Sequence, residues 1–309
     1  MSILLNADPA MVSWYEASAR ARVEDLLDPG SFEEFIGPEA REESPHLDIF
    51  ELPKQFDDGM IVGRGTLANR RVLVAAQEGR FMGGAFGEVH GAKLTGLLRA
   101  ARAAGESVSA VLILFDTGGV RLQEANAGEL AIAEIMRAIL ELRAEGGRVI
   151  GLIGGRAGCY GGGGLISGCC SGLVVSEQGR ISVSGPEVIE TNKGVEEFDA
   201  ADRALVWRTM GGKSRRLLGL ADAFADDTIE SFRDAALKLI DGAPRFDLSS
   251  MLAEQARLEG RLARFGGCGD ASEIWAALGI QAPETIPDLP PDAFVKIAGA
   301  FSEQSHDAR

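Results

Sequence analysis

The chain has 309 residues, 46% of them hydrophobic and 25% charged, which is the balance of a soluble globular protein with a sizeable core. Its formal net charge of −15 argues against a nucleic-acid surface, because phosphate binding needs clustered Lys and Arg. Cys159, Cys169, Cys170 and Cys268 form no C-x-x-C pair, which excludes a zinc ribbon, predicts no metal site and places the chain in a reducing compartment, the cytoplasm.

The opening "MSILLNADPAMVSWYEASARAR" has no basic segment leading into an apolar run, so no signal peptide is expected. Residues 12–35 read as an amphipathic helix running into a turn at Asp28-Pro29-Gly30, and 37–58 as an irregular arm rich in Pro, Glu and Asp. "MIVGRGTLANRRVLVAAQ" predicts a hairpin broken at Asn69-Arg70. A helix is expected from about 87 to 104, then the buried strand "SAVLILFD" ending in "TGGVRLQEA", a helix over 123–144 and a second buried strand, "RVIGLI". A helix through Ser167 leads to two short strands, "GLVVS" and "ISVS"; residues 186–265 read as mainly helical, and the Pro-rich tail from 281 as largely loose. The alternation makes this an α/β protein, divided as an N-terminal helical arm (1–54), one core (55–245) and C-terminal helices with a Pro-rich tail (246–309).

Ten of the residues between 151 and 175 are glycine, although each glycine in a regular element costs about 0.5–1 kcal/mol relative to alanine. Arg156 and these glycines break the continuous apolar run of about 20 residues that a membrane span needs, so no membrane segment is expected. Two strand ends carry glycine alike: Gly118-Gly119 after the first buried strand and Gly161 to Gly164 after the second. Bare backbone there would present helix N-terminal N–H groups to a phosphate or to a thioester oxygen becoming an enolate; close helix-on-strand packing is the alternative. "WRTMGGKS" has Trp207 where a P-loop needs its first glycine, and neither G-x-G-x-x-G in the cluster nor G-x-S-x-G around Ser167 occurs.

"FMGGAFGEVHGAK" (81–93), "FDTGGVRLQEA" (115–125), "AGCYGGGGLISG" (157–168) and "ISVSGPEVIE" (181–190) resemble, in order, the carboxyltransferase family of acyl-CoA carboxylases. "ARVEDLLDPGSFEEF" (21–35) does so too, and the likeness spans about residues 15–230. "TGGVRLQEAN", "GPEVIE" and "GVEEFDAADRALVW" resemble most the malonate decarboxylase branch, its beta subunit. The resemblance implies a crotonase-like (ClpP/crotonase) spiral of ββα units with added helices. It also implies a heterodimer with a homologous gamma subunit and a shared active site, served by an acyl carrier protein and an acyl carrier protein transferase subunit. The substrate would be a malonyl thioester on a phosphopantetheine-type, dephospho-CoA-derived arm, losing CO2 to leave an acetyl thioester, with no cofactor bound in this chain. A biotin-dependent carboxyltransferase half is the nearest alternative, and a non-catalytic scaffold for an active homologue is the other. The four-cysteine zinc ribbon of the bacterial acetyl-CoA carboxylase beta subunit and the double-length chain of propionyl-CoA-type enzymes do not match this sequence.

Carried over motif by motif, the resemblance places the oxyanion donors among Gly118, Gly119, Gly161 and Gly162. Tyr160 stands where the family has Ala, and four glycines replace two, so the choice of amides stays open. Arg121, Gln123, Tyr160 and Gly163 are the expected substrate-binding residues; for Arg121 an ion pair with Glu124 or Asp116 is the competing role. His90 is expected to be structural or an acid, with His46 and His306 solvated, while Cys159 adjoins the glycines and Cys169 and Cys170 read as core. Glu187 and Glu190 suit the first turn of a helix after Pro186, and Lys213, Arg215 and Arg216 form a candidate basic patch for an acidic carrier protein.

Overall fold

The computed structural model describes residues 12–49, 51 and 59–306, with side chains described as far as residue 300 and not at position 49. The opening residues 1–11, positions 50 and 52–58 of the acidic arm, and the side chain of His306 lie outside the described residues.

The first elements among the described residues are α1 (Ala19–Leu26), β1 (Glu33–Glu34) and α2 (His46–Ile49), followed by β2 (Met60–Leu67) and β3 (Arg70–Gln77). Then come α3 (Glu88–Ala104), β4 (Ala110–Phe115), α4 (Ala127–Ala144), β5 (Val149–Ile153), α5 (Gly162–Cys169) and β6 (Gly172–Val175). After them lie α6 (Pro186–Lys193), α7 (Arg203–Met210), α8 (Gly212–Leu217), β7 (Ala223–Phe224), α9 (Ile229–Gly242), α10 (Leu248–Phe265), α11 (Ala271–Ala277) and α12 (Pro291–His306). The strands form one sheet in sequence order, antiparallel through β3 and parallel from β3 to β7.

The parallel strands are buried on both faces, which is why they read as unbroken apolar runs. Along β4, Val111, Ile113 and Phe115 join the layer under α3, α4 and α5, while Ala110, Leu112 and Leu114 join the layer under α1 and α9. A large apolar side chain buried this way contributes about 1.5–3 kcal/mol.

Beyond β3, β4, β5 and β6 the chain makes a second, one-residue β step. Phe86 bridges Val120, Thr117 bridges Cys159, and Cys159 bridges Ile181, all in parallel sense. Strand, short cross-step and helix therefore repeat as a spiral, and the cross-steps gather the loops after β3, β4, β5 and β6 at the carboxyl end of the sheet.

Several local expectations change. The first helix is only α1, started by the Ser18 hydroxyl on the Ala21 N–H and ended at Leu27, which turns extended. The expected 123–144 helix begins at Ala127, because Ala125 takes a left-handed φ of 49° after a 3-10 turn over Leu122–Glu124. "ISVS" forms no strand; Arg180 and Ile181 make isolated bridges only. The Pro-rich tail is helical and packed: Trp275, Ile286 and Phe294 are buried against Leu217, with Phe224 alongside. Two of its prolines, Pro283 and Pro291, open helical turns, where the missing N–H costs nothing.

Candidate active site

The two glycine turns expected from the sequence touch. A Cβ placed on Gly161 would stand 3.0 Å from the Gly119 Cα. Gly161 has φ of 57° and Gly119 φ of 136°, both left-handed values that side chains with a Cβ adopt at a cost. At Gly161 the absence of a side chain is therefore required twice, by conformation and by space. Gly162, Gly163 and Gly164 differ: they back onto the Ile132 side chain, the Thr117 methyl and the Ser182 carbonyl. Close packing of α5 excludes a side chain at those three positions.

Backbone hydrogen bonds fix both turns. Thr117 N–H donates to Gly158 O at 2.8 Å and Tyr160 N–H to Thr117 O at 2.9 Å, locking one turn to the other. Gly118 N–H donates to Gly83 O at 2.8 Å, so that amide is already committed. Gly119 N–H donates to the Thr117 hydroxyl at 3.1 Å, an acceptor that one side-chain rotation removes. Among the described residues the N–H groups of Gly161 and Gly162 have no acceptor. They open the eight-residue α5, whose N-terminal end carries the positive end of the helix dipole.

The turns rest on a buried ion pair that the sequence did not announce. Arg22 Nη1 lies 2.8 Å from Asp116 Oδ2, with both side chains almost fully buried. Asp116 Oδ1 also accepts from Ala157 N–H at 2.6 Å, tying α1, the end of β4 and the loop after β5 to one carboxylate. No local pattern marks the pair, because its partners are 94 residues apart.

The remaining site candidates separate. Arg121 and Glu124 form a buried pair at 3.1 Å, and Glu124 also accepts from Glu88 N–H at 2.6 Å; Asp116 is taken by Arg22. Gln123 is exposed at the tip of the same turn, beside Leu122, which is 81% exposed. Tyr160 packs with Phe198, Val206 and Met210; its hydroxyl is buried with no partner among the described residues, and burial pushes its pKa up. Cys159 is fully buried, and burial pushes its thiol up to about 12, leaving no thiolate at neutral pH. Cys170 is buried as core, and Cys169 is half-buried.

His90 is structural: burial holds its pKa down at about 3, its Nδ1 meets Ala85 O at 2.8 Å, and its ring stacks on Phe86. His46 is not simply solvated, since its Nδ1 lies 2.8 Å from Glu88 Oε2. Glu187 lies in the first turn of α6, and Glu190 accepts from Ala200 N–H. The basic patch at 213–216 is tied into the fold, with Lys213 buried and Arg215 and Arg216 half-buried. Lys213 donates to Pro287 O and Leu289 O from a buried position. Arg215 donates to Ile181 O, and burial lowers its pKa to about 10.

Around the turns Leu122, Leu130, Leu165 and Val183 stand exposed, an apolar rim of the kind that marks an interaction surface. A cavity of about 440 Å³ lies instead between Phe35–Pro45 and α3, and none of the glycine-turn residues line it. Among the described residues no group of His, Cys, Asp and Glu could hold a metal, and no helix is long and apolar enough to cross a membrane.

Residues 16–237 match the family model of the carboxyl transferase domain. The chain is 39% identical over 304 residues to a malonyl-S-ACP:biotin-protein carboxyltransferase of Malonomonas rubra, covering 92% of this chain and 94% of that one. It is equally 39% identical to a chain of a Pseudomonas malonate decarboxylase hetero-tetramer in complex with malonate, with TM-score 0.78 over 87% of this chain and 98% of that one. A Pseudomonas malonate decarboxylase hetero-dimer follows at 36% identity and TM-score 0.65, over 80% of this chain and 96% of that one. These structures share the crotonase-like spiral traced here.

Proposed function

The chain belongs to the carboxyl transferase domain family, and from that premise we propose that it is the decarboxylating subunit for a malonyl thioester, working without biotin in the cytoplasm. The observation that carries this reading is the contact of two glycine turns with unpartnered Gly161 and Gly162 amides at the N-terminus of α5.

Breaking the C–C bond to the carboxylate releases CO2 and sends the bond's electron pair into the thioester carbonyl. Negative charge then develops on that oxygen, and the product carbon takes a proton to become acetyl. Donors fixed in advance at that oxygen lower the barrier because they need no reorganisation, and each is worth about 10²–10³ in rate. In this reading Gly161 or Gly162 supplies one donor. Gly119 supplies the second once the Thr117 hydroxyl turns away. Gly118 contributes through its bond to Gly83, by holding the turn. Gln123, Tyr160 and Gly163 line the path of the substrate, and Arg121 holds the turn through Glu124.

The substrate rides on the phosphopantetheine-type arm of an acyl carrier protein, loaded by a transferase subunit, and the exposed rim at Leu122, Leu130, Leu165 and Val183 meets a homologous gamma subunit. The names of the relatives support this: one acts on a malonyl-S-ACP, and two belong to hetero-oligomeric malonate decarboxylases. The Malonomonas relative, named for a biotin protein, favours a second reading in which the same enolate forms but the carboxyl group passes to biotin.

Mass spectrometry of a malonyl-pantetheine thioester incubated with this chain and its gamma-type partner separates the two. Acetyl thioester formed without biotin supports direct decarboxylation. Acetyl thioester formed only with a biotin protein supports transfer, and none in either case contradicts both.

A further inference from the structure

At the end of the sheet away from the glycine turns, three arginines converge on one cavity. It has a volume of about 50 Å³ and is lined by Arg143 at the end of α4, Arg148 and Ser171 just before β5 and β6, and Arg245 and Phe246 in the link from α9 to α10. The five residues of β5, at about 3.3 Å each, put it about 17 Å from the turn that follows that strand. Among the described residues no carboxylate lines it, in a chain whose formal net charge is −15.

A structural role takes only part of what these groups offer. Arg143 Nη1 donates to the Cys169 carbonyl, at the end of α5, at 2.6 Å. Arg148 Nη1 donates to the Ala243 carbonyl, at the end of α9, at 2.5 Å. A guanidinium has five N–H donors, so most of them remain. The Arg143 Nε is buried with no partner among the described residues. Its guanidinium carbon lies 4.6 Å from the centre of the Phe246 ring, a stacking that fixes the plane and leaves the edge N–H groups open. Ser171 is 8% exposed and accepts from Val149 N–H at 3.0 Å, which leaves its own O–H to donate. The neighbouring carboxylates are engaged: Glu145 with Arg102, Asp241 with Arg70, Asp247 with Ser250 N–H and Asp222 with Leu173 N–H. Asp222 attracts Arg143, yet burial outweighs it and lowers the Arg143 pKa, as for a cation without a counterion.

We propose that this cavity is a binding site for a phosphate group. Guanidinium groups from three segments, with a hydroxyl beside them, match the several acceptor oxygens of a tetrahedral ion, whereas a planar carboxylate offers two. A water-sized probe needs about 10–15 Å³, so the space takes an ion of phosphate's size and no ring or chain. The ion would join the end of α4, the start of β5 and the α9–α10 link. The site is independent of how the chemistry of the glycine turns is read.

Calorimetric titration of the full chain with inorganic phosphate, at an ionic strength held constant with chloride, tests it. One saturable site is expected. Arg245→Gln, at an exposed position, should weaken it by about 10- to 100-fold, the effect of one charge-assisted hydrogen bond. The same substitution should leave the melting temperature without phosphate unchanged, and Arg64→Gln, on β2, should change neither quantity. O-phosphoserine that competes with phosphate would identify the end of a larger phosphate ester as the source, and its failure to compete would identify the free ion; the site stands in both cases. Absence of saturable binding overturns the proposal. So does binding that Arg245→Gln leaves unmoved, which would mean an adventitious ion only. Acetate or malonate bound more tightly than phosphate overturns it in favour of a carboxylate site.

Discussion

Gly161→Ala is the sharpest perturbation of the turns. At φ of 57° a residue with a Cβ costs about 1–2 kcal/mol. The new methyl would also stand 3.0 Å from the Gly119 Cα, inside the usual carbon–carbon separation of about 3.5–4.0 Å. The two turns must therefore part by some tenths of an ångström, in the place where two donors have to converge on one oxygen. Loss of one donor alone predicts a fall in kcat of about 10²–10³. The strain amounts to about 1–3 kcal/mol in all, a drop in melting temperature of order 10 °C or less at about 2–4 °C per kcal/mol. Gly168, in the same helix, has open space around its missing Cβ, so Gly168→Ala should return about 0.5–1 kcal/mol of stability. The double variant should recover part of the melting temperature and none of the rate, measured as acetyl thioester formed by the assembled enzyme. A Gly161→Ala enzyme with near wild-type rate would refute the assignment of catalysis to these amides. Lost assembly with an unchanged rate per assembled complex would point to a scaffold.

Other expectations follow from the same geometry. Arg22→Met strands Asp116 as a buried unpaired charge and should cost about 3–5 kcal/mol, read as a large drop in the urea midpoint. His90 has a folded-state pKa of about 3 against 6.5 unfolded, so below pH 6.5 the unfolded chain binds a proton that the folded one refuses. Stability should therefore fall as pH drops from about 6.5 to about 3, by up to about 1.4 kcal/mol per pH unit. His90→Gln should flatten that slope relative to wild type, and equal slopes would contradict the buried neutral imidazole. Cys159, buried with its pKa pushed to about 12, should resist iodoacetamide at pH 8 until the protein unfolds; rapid labelling of the native chain would contradict this. Arg121→Met should lower the melting temperature more than it raises KM, because the guanidinium pairs with Glu124; a pure KM effect would restore it as a substrate ligand.

The strands were legible because parallel strands buried on both faces are continuous apolar runs, as "AVLILF" at β4 shows. The glycine turns were legible because bare backbone at two strand ends is costly and so needs a reason. Their division of labour was not, since Gly161 and Gly162 differ in backbone conformation and in what faces them: a left-handed φ and the Gly119 backbone in one case, the Ile132 side chain in the other. "ISVS" alternates like a strand, yet its neighbours offer single bridges at Arg180 and Ile181 and no ladder. The tail's Pro-rich composition reads as loose, whereas Pro283 and Pro291 open helical turns and Pro287 lies within the first of them. The Arg22–Asp116 pair was invisible because long-range ion pairs leave no local spacing. Lys213 looked like surface because its partners, the carbonyls of Pro287 and Leu289, lie more than 70 residues downstream.

The claim on which everything else depends is that the touching glycine turns hold an enolate rather than only a substrate. Catalytic donors bind the transition state more tightly than the ground state. A pantetheine thioether carrying a planar nitronate in place of the enolate imitates that charge, and its Kd should be measured by calorimetry on the assembled wild type and Gly161→Ala enzymes. The account predicts that the substitution weakens the analogue by the factor it removes from kcat/KM, about 10²–10³, while the neutral acetyl thioester loses far less. Equal losses for both ligands, or an analogue bound as tightly by the variant as by wild type, would contradict it.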